Sequence, residues 1–165
     1  MRTLCVLLLT FSAFAADTVL RIDGVGRDGV ARPPLQISLA DLQAMPRMTL
    51  QAKTHDGKDH TFEGVALSEL LHRAGLPQGD DVRGPALARY LLVTAHDGYR
   101  AVFSLPELDP AFSDTRALVA DHMDGQLLTP RDGPLRLVLP AEKREARWVR
   151  MVEHIELLAA PDPVR

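Results

Sequence analysis

The residues in this chain best suited to chemistry lie in one run, Lys143-Arg-Glu-Ala-Arg-Trp-Val-Arg150, which holds the single tryptophan. A flat indole, Trp148, among the guanidiniums of Arg147 and Arg150 is the equipment for gripping a planar, polar-edged ring: aromatic and guanidinium faces stack, and guanidinium edges donate hydrogen bonds. The same side chains also suit a small core capped by the indole and covered by arginine stems. Tyr99 is a second ring of either kind. Carboxylates that could read the edge of such a ligand are Asp121, Asp97 and Glu145, and the sequence does not choose among them.

Other chemistries find less support. Six histidines invite a metal, but His55 and His60 share a turn at unhelpful spacing, His72 has no helical partner, and His96, His122 and His154 are scattered. No nucleophile elbow of the Gly-x-Ser-x-Gly type occurs. Asp80 and Asp81 read as a solvated loop pair, and Gly24 to Gly29 lacks the strand and helix that a phosphate-cradling loop requires.

The elements that must position these groups are readable in part. Thr18–Gly24 reads as an opening strand, and Ser38 with Asp41 as a capping box that starts a short helix. Arg47–Lys53 alternates, with Met48, Leu50 and Ala52 on one face, and turns at His55–His60 into a second strand near Thr61. Leu67, Leu70, Leu71 and Ala74 form a helical stripe that Gly75 and Pro77 end. Strands follow at Arg89–Ala95, around Ala101, at Arg116–Asp121 and at Pro134–Pro140, with a Ser104–Glu107 cap between them. The last strand is expected to run from Trp148 to Leu157, placing Trp148 beside Arg150 and away from the main core. On that reading Trp148→Ala loses ligand binding in a domain that still folds. Strands and helices mix without regular alternation, so the expected fold is α+β, one compact mixed-sheet domain.

At 165 residues, 46% hydrophobic, the chain supports one core and not two. Residues 1–15 carry Arg2, an apolar run and the triplet Ala13-Phe14-Ala15, the pattern of a secretory signal cleaved after Ala15; the run is about half of the ~20 residues a spanning helix needs. The expectation is a periplasmic domain over residues 16–165 without direct membrane insertion. Cys5, the one cysteine, leaves with the signal, so no disulfide or thiolate remains. A formal charge of −3 gives no footprint for nucleic acid.

The second half resembles the molybdopterin-binding domain of the sulfite oxidase family. Met123-Asp-Gly125 falls on the family's Met-Asn-Gly turn, and Gly133, Pro134 and Arg136 on its Gly-x-Pro-x-Arg strand entry. Ala146, Arg147, Val149 and Arg150 fall on its Ala-Arg-x-Val-Lys run. Upstream, Gly64–Gly75 resembles its Gly-Val-x-Leu helix and Asp97–Leu108 its Asp-Gly turn, so the similarity spans Thr49 to Leu157.

That resemblance implies the sulfite oxidase fold, a molybdopterin pocket and a molybdenum-binding cysteine shortly before the Gly-Val-x-Leu helix. The stretch Leu50–Val65 contains no cysteine, and His55 or Asp56 is a harder ligand than thiolate. The leader also lacks the twin arginines used to export folded cofactor enzymes. The family includes small exported members without the cysteine that bind reduced pterins and report to a membrane-bound cyclic-di-GMP enzyme. The resemblance therefore implies a periplasmic pterin receptor with no tightly bound cofactor, a reduced pterin as ligand, and the periplasmic domain of such an enzyme as partner. Its site would comprise Trp148, Arg147, Arg150, Asp121, Tyr99, Asp97 and Glu145. The alternatives are a molybdopterin-dependent oxidoreductase and an interaction module with an empty pocket.

Overall fold

The structure is a computed structural model that describes residues 17–161; the expected signal at residues 1–15 lies outside them. Strands β1 (Thr18–Gly24) and β2 (Leu35–Ser38) pair antiparallel and lead into α1 (Leu39–Gln43). Ser38 caps α1: its hydroxyl accepts from the Asp41 amide while the Asp41 carboxylate accepts from the Ser38 amide.

The hairpin β3 (Met48–Lys53) and β4 (Asp59–Ala66) follows, then α2 (Leu67–Arg73). The expected stripe of Leu67, Leu70, Leu71 and Ala74 is buried, and Gly75, at φ 68°, ends the helix in a conformation that favours glycine. Next come β5 (Arg89–Ala95), β6 (Arg100–Ser104) and α3 (Leu105–Leu108), whose cap is the Ser104 hydroxyl accepting from Glu107. Strands β7 (Leu118–Met123), β8 (Gln126–Leu127), β9 (Arg136–Val138) and β10 (Val152–Ala159) complete the domain.

The strands form two sheets, one ordered β2-β1-β10-β5-β6 and one ordered β3-β4-β7-β8 with β9 against β7. Among the described residues only the β1–β10 pairing is parallel. Buried side chains of both sheets and of α1 and α2 form one core, including Ile22, Val93 and Ile155 from the first sheet and Leu50, Phe62 and Leu118 from the second. This is the expected α+β mixed-sheet architecture. Among the described residues no helix is long and apolar enough to cross a membrane.

The last strand corrects the expectation. Regular pairing begins at Val152, and the ladder to β5 shifts between Val152 and His154. Upstream, Glu145–Arg147 forms a single 3-10 turn and Met151 takes φ 50°, so period two does not hold from Trp148 to Val152. Trp148, Val149 and Val152 are all buried, and Trp148 belongs to the main core instead of lying on the opposite face. The reason is a change of partner: Leu137 donates to Val149 O at 2.8 Å, Val152 to Leu135 O at 2.9 Å, and His96 to Met151 O at 2.9 Å. Here the chain crosses from the β9 side to the β5 side, and such a crossing has no periodicity to read.

Candidate functional site

The crossing segment builds one wall of a hollow. After the 3-10 turn, Trp148 donates its backbone amide to Glu145 O at 2.9 Å, and its ring drops into the core with 4% exposure. Phe62 meets the indole edge to face, with centroids 6.1 Å apart at 86°. The Arg136 guanidinium lies 5.5 Å from the indole centroid and 5.6 Å from that of Phe62. Arg136 Nη2 donates to Glu145 Oε2 at 2.5 Å, and Glu145 Oε1 accepts from the His55 amide at the β3–β4 hairpin tip. Trp148 Nε1 and Arg136 Nε are buried donors with no acceptor among the described residues.

The β5–β6 turn builds the opposite wall. Gly98 at φ 86° permits the tight reversal, and Asp97 Oδ1 accepts from the Tyr99 amide at 3.0 Å. The Tyr99 hydroxyl donates to Ala146 O, which fixes the ring across the mouth, yet the residue stays 50% exposed. Between the walls lies a hollow of about 220 Å³ lined by Asp97, Tyr99, Glu145, Ala146, Trp148 and Arg150. Five candidates from two stretches of the chain, Asp97 and Tyr99 from one and Glu145, Trp148 and Arg150 from the other, meet at this one place.

Arg147 and Asp121 are not among its walls. Arg147 turns away, donating to Glu107 at 2.9 Å and to Glu142, with its guanidinium 4.7 Å from the Phe103 centroid. Those contacts, Glu142 first and then Glu107, outweigh the opposing effect of burial and hold its pKa above the ordinary value. Asp121 is fully buried on β7, at the extra residue where the β4–β7 register shifts. Its Oδ1 accepts from Arg47 Nη2 at 2.5 Å and lies 3.1 Å from His122 Nδ1. Burial pushes the Asp121 carboxyl up, but the hydrogen bond from Arg47, with His122 and Gln43 nearby, wins and holds it below its ordinary value. Gly64 makes the local approach possible, because a Cβ there would meet Val119 O at 2.1 Å.

A second hollow, of about 470 Å³, lies on the other side of Glu145, between the hairpin tip and the Pro140–Arg144 loop. Its polar lining includes Lys53, His55, Glu142, Lys143, Arg144 and Glu145. The hairpin tip is clamped from behind: His60 Nδ1 lies 2.6 Å from Asp124 Oδ2 and Nε2 lies 3.4 Å from Asp56 Oδ2. Asp124 chiefly, with Asp56, raises the His60 pKa against the lowering effect of burial. The clamping carboxyls are held low, Asp124 first by His60 and Asp56 first by Thr54.

Sequence reasoning missed Arg136 and His55 as parts of the site. Arg136 was visible in the Gly-x-Pro-x-Arg match but had no partner to identify it; Glu145 is nine residues on, across a loop. His55 contributes a backbone amide, which residue type does not reveal.

The donor set decides what the family's cofactor could find here. The stretch where the resemblance puts the metal-binding cysteine offers Thr54, His55, Asp56 and His60, and the last two already bond to each other. Among the described residues there is no thiolate, and no group of three His, Asp or Glu side chains is placed to hold a metal ion. These residues do not reproduce the thiolate that the resemblance puts at the molybdenum site, so they do not fit that site. The hollow lined by Tyr99, Trp148, Asp97 and Arg150 does suit the pterin portion, which needs a ring to stack on and polar groups at its edge.

The model of the oxidoreductase molybdopterin binding domain matches residues 15–164. Among solved structures, the sulfane dehydrogenase SoxCD from Paracoccus pantotrophus shares the fold at TM-score 0.62 and 20% identity, over 84% of this chain. The match covers 38% of that longer protein. No curated protein matches the chain. The family match spans nearly the whole sequence and the fold agrees, so the chain belongs to the oxidoreductase molybdopterin-binding domain family.

Proposed function

We propose that this domain binds a reduced pterin in the hollow beside Tyr99 and Trp148 without molybdenum. In this reading it works in the periplasm as the ligand receptor of a membrane-bound cyclic-di-GMP enzyme. The observation that carries the ligand is the meeting of Asp97, Tyr99, Glu145, Trp148 and Arg150 around one hollow in a domain of this family. At about 220 Å³ the hollow is below the ~300–1,000 Å³ of drug-sized sites and matches one flat bicycle.

The roles differ from one residue to the next. Tyr99 offers the open face for stacking, and Trp148, largely covered by its own neighbours, forms the floor. Arg150 is exposed, its guanidinium 3.7 Å from Asp132, and can turn to the ligand. Glu145 is committed to Arg136 and His55, whereas Asp97 has one oxygen left to accept from the pterin's 2-amino and N3 groups. The signal-like sequence pattern of residues 1–15 supports the periplasmic location, and the sequence resemblance supports the partner.

The second reading, a molybdopterin-dependent oxidoreductase, is favoured by the near full-length family match. Two measurements separate them. Elemental analysis of the protein from its native compartment is expected to show no stoichiometric molybdenum, and finding it would establish the oxidoreductase reading. Titration with reduced pterins is expected to quench Trp148, the only tryptophan; no quenching with any pterin leaves the domain as an interaction module. For the partner, the expected result is ligand-dependent co-elution with the periplasmic domain of the membrane enzyme. Co-elution that ignores ligand contradicts a receptor role.

A further inference from the structure

A single hydrogen bond joins the two walls of the ring hollow across its mouth: the Tyr99 hydroxyl donates to Ala146 O at 2.5 Å, 47 positions along the chain. Both residues line the hollow, as does the buried ring of Trp148. The two ends of the bond are held very differently. Ala146 is the middle residue of the Glu145–Arg147 3-10 turn, and both of its neighbours are tied down. Glu145 is held by Arg136 and the His55 amide, and Arg147 by Glu107, Glu142 and Val102 O. Tyr99 instead ends the His96–Tyr99 connection between β5 and β6, and it is half exposed. A side chain added at Gly98 beside it would meet no atom within 4 Å, so the turn stands in open space.

The geometry points to a latch, with Ala146 O as its fixed side and the Tyr99 ring as its moving side. The ring swings away to admit a ligand and closes over it again. The latch rests on the pterin reading above and adds to it how the ligand enters and leaves. The bond breaks for entry and for exit and is made in between, with the hollow empty or loaded. A neutral hydrogen bond between partly exposed groups biases such an open–closed equilibrium by about two- to tenfold, enough to slow exchange without barring it. A contact made equally in the free and loaded states changes rates and leaves affinity nearly untouched.

Tyr99→Phe removes the hydroxyl and keeps the ring; circular dichroism and the unfolding midpoint check that the variant folds. Without ligand, acrylamide quenching of Trp148, the only tryptophan, reads how far the mouth is open. The quenching constant is expected to rise about twofold or more in Tyr99→Phe. An unchanged constant overturns the latch. With 7,8-dihydrobiopterin in stopped-flow mixing, association and dissociation should both speed up about threefold or more, while the dissociation constant stays within about twofold. Unchanged rates overturn the latch. Faster dissociation alone, with a matching loss of affinity, makes the hydroxyl a direct ligand contact and overturns it as well. If no pterin binds the parent protein, the pterin reading falls, and the acrylamide result still decides the latch.

Discussion

Two arginine–carboxylate pairs are built into the second sheet, and they do different work. Arg47 bridges Asp121 at 2.5 Å and Glu63 at 3.0 Å, and its partner Asp121 is wholly withdrawn from solvent at the β4–β7 irregularity. Arg136 bridges Glu145 at 2.5 Å while packed between Phe62 and Trp148, and Glu145 walls both hollows. The first pair ties the start of β3 to β7. The second holds the floor and a shared wall of a concave site. Burial of an ion pair by itself is weak evidence for function; what distinguishes Arg136–Glu145 is that Glu145 walls the hollow at which Asp97, Tyr99, Trp148 and Arg150 meet.

That contrast breaks most visibly at Trp148. Because the indole is in the core, Trp148→Ala should destabilise the domain by about 4 kcal/mol, read by chemical denaturation, and not merely abolish binding as the sequence reading expects. A loss under about 1 kcal/mol would mean that the ring is dispensable to the core. Asp121→Ala should cost about 3 kcal/mol, somewhat less than a fully enclosed pair because the Arg47 side chain is 24% exposed. In that variant the folded protein should keep its pterin affinity within about twofold, and a tenfold loss would return Asp121 to the site.

The opposite pattern is expected of Tyr99→Ala. Stacking on a heterocycle contributes about 1–3 kcal/mol, so affinity should fall by about tenfold or more while stability changes little. Equal loss of both would make Tyr99 a strut for Ala146.

The smallest effect is the pH dependence of the hairpin clamp. His60 has a raised pKa in the folded state, so its contribution is fully present below the ordinary imidazole value of about 6.5 and fades as pH rises through the raised value. The carboxyls of Asp124 and Asp56 are held low, so theirs is present above the ordinary carboxylate value of about 4 and fades as pH falls through the lowered values. Thermal unfolding should therefore show a modest decline above about pH 6.5 that His60→Gln flattens. An unchanged slope in His60→Gln would remove the clamp from the account.

The legible parts of this molecule were those set by near neighbours. The Ser38–Asp41 cap, the alternation of β3 and the stripe of α2 each depend on spacings of two to four residues, and the structure has all three. The Asp97–Tyr99 turn is local too, so its residues could be named in advance. What the sequence concealed is long-range: Arg47 reaches Asp121 across 74 positions, and Trp148 to Val152 bonds alternately to two sheets, so its strand-like pattern of residues describes no strand. Arg147 and Arg150 flank the same indole in sequence, yet only Arg150 lines the hollow.

The most direct test of the central claim is a calorimetric titration of 7,8-dihydrobiopterin into metal-free protein. Saturable one-to-one binding with a dissociation constant of about 1 μM or below is the predicted result. No saturable binding to the metal-free protein, with uptake only of the molybdenum-loaded cofactor, would contradict it.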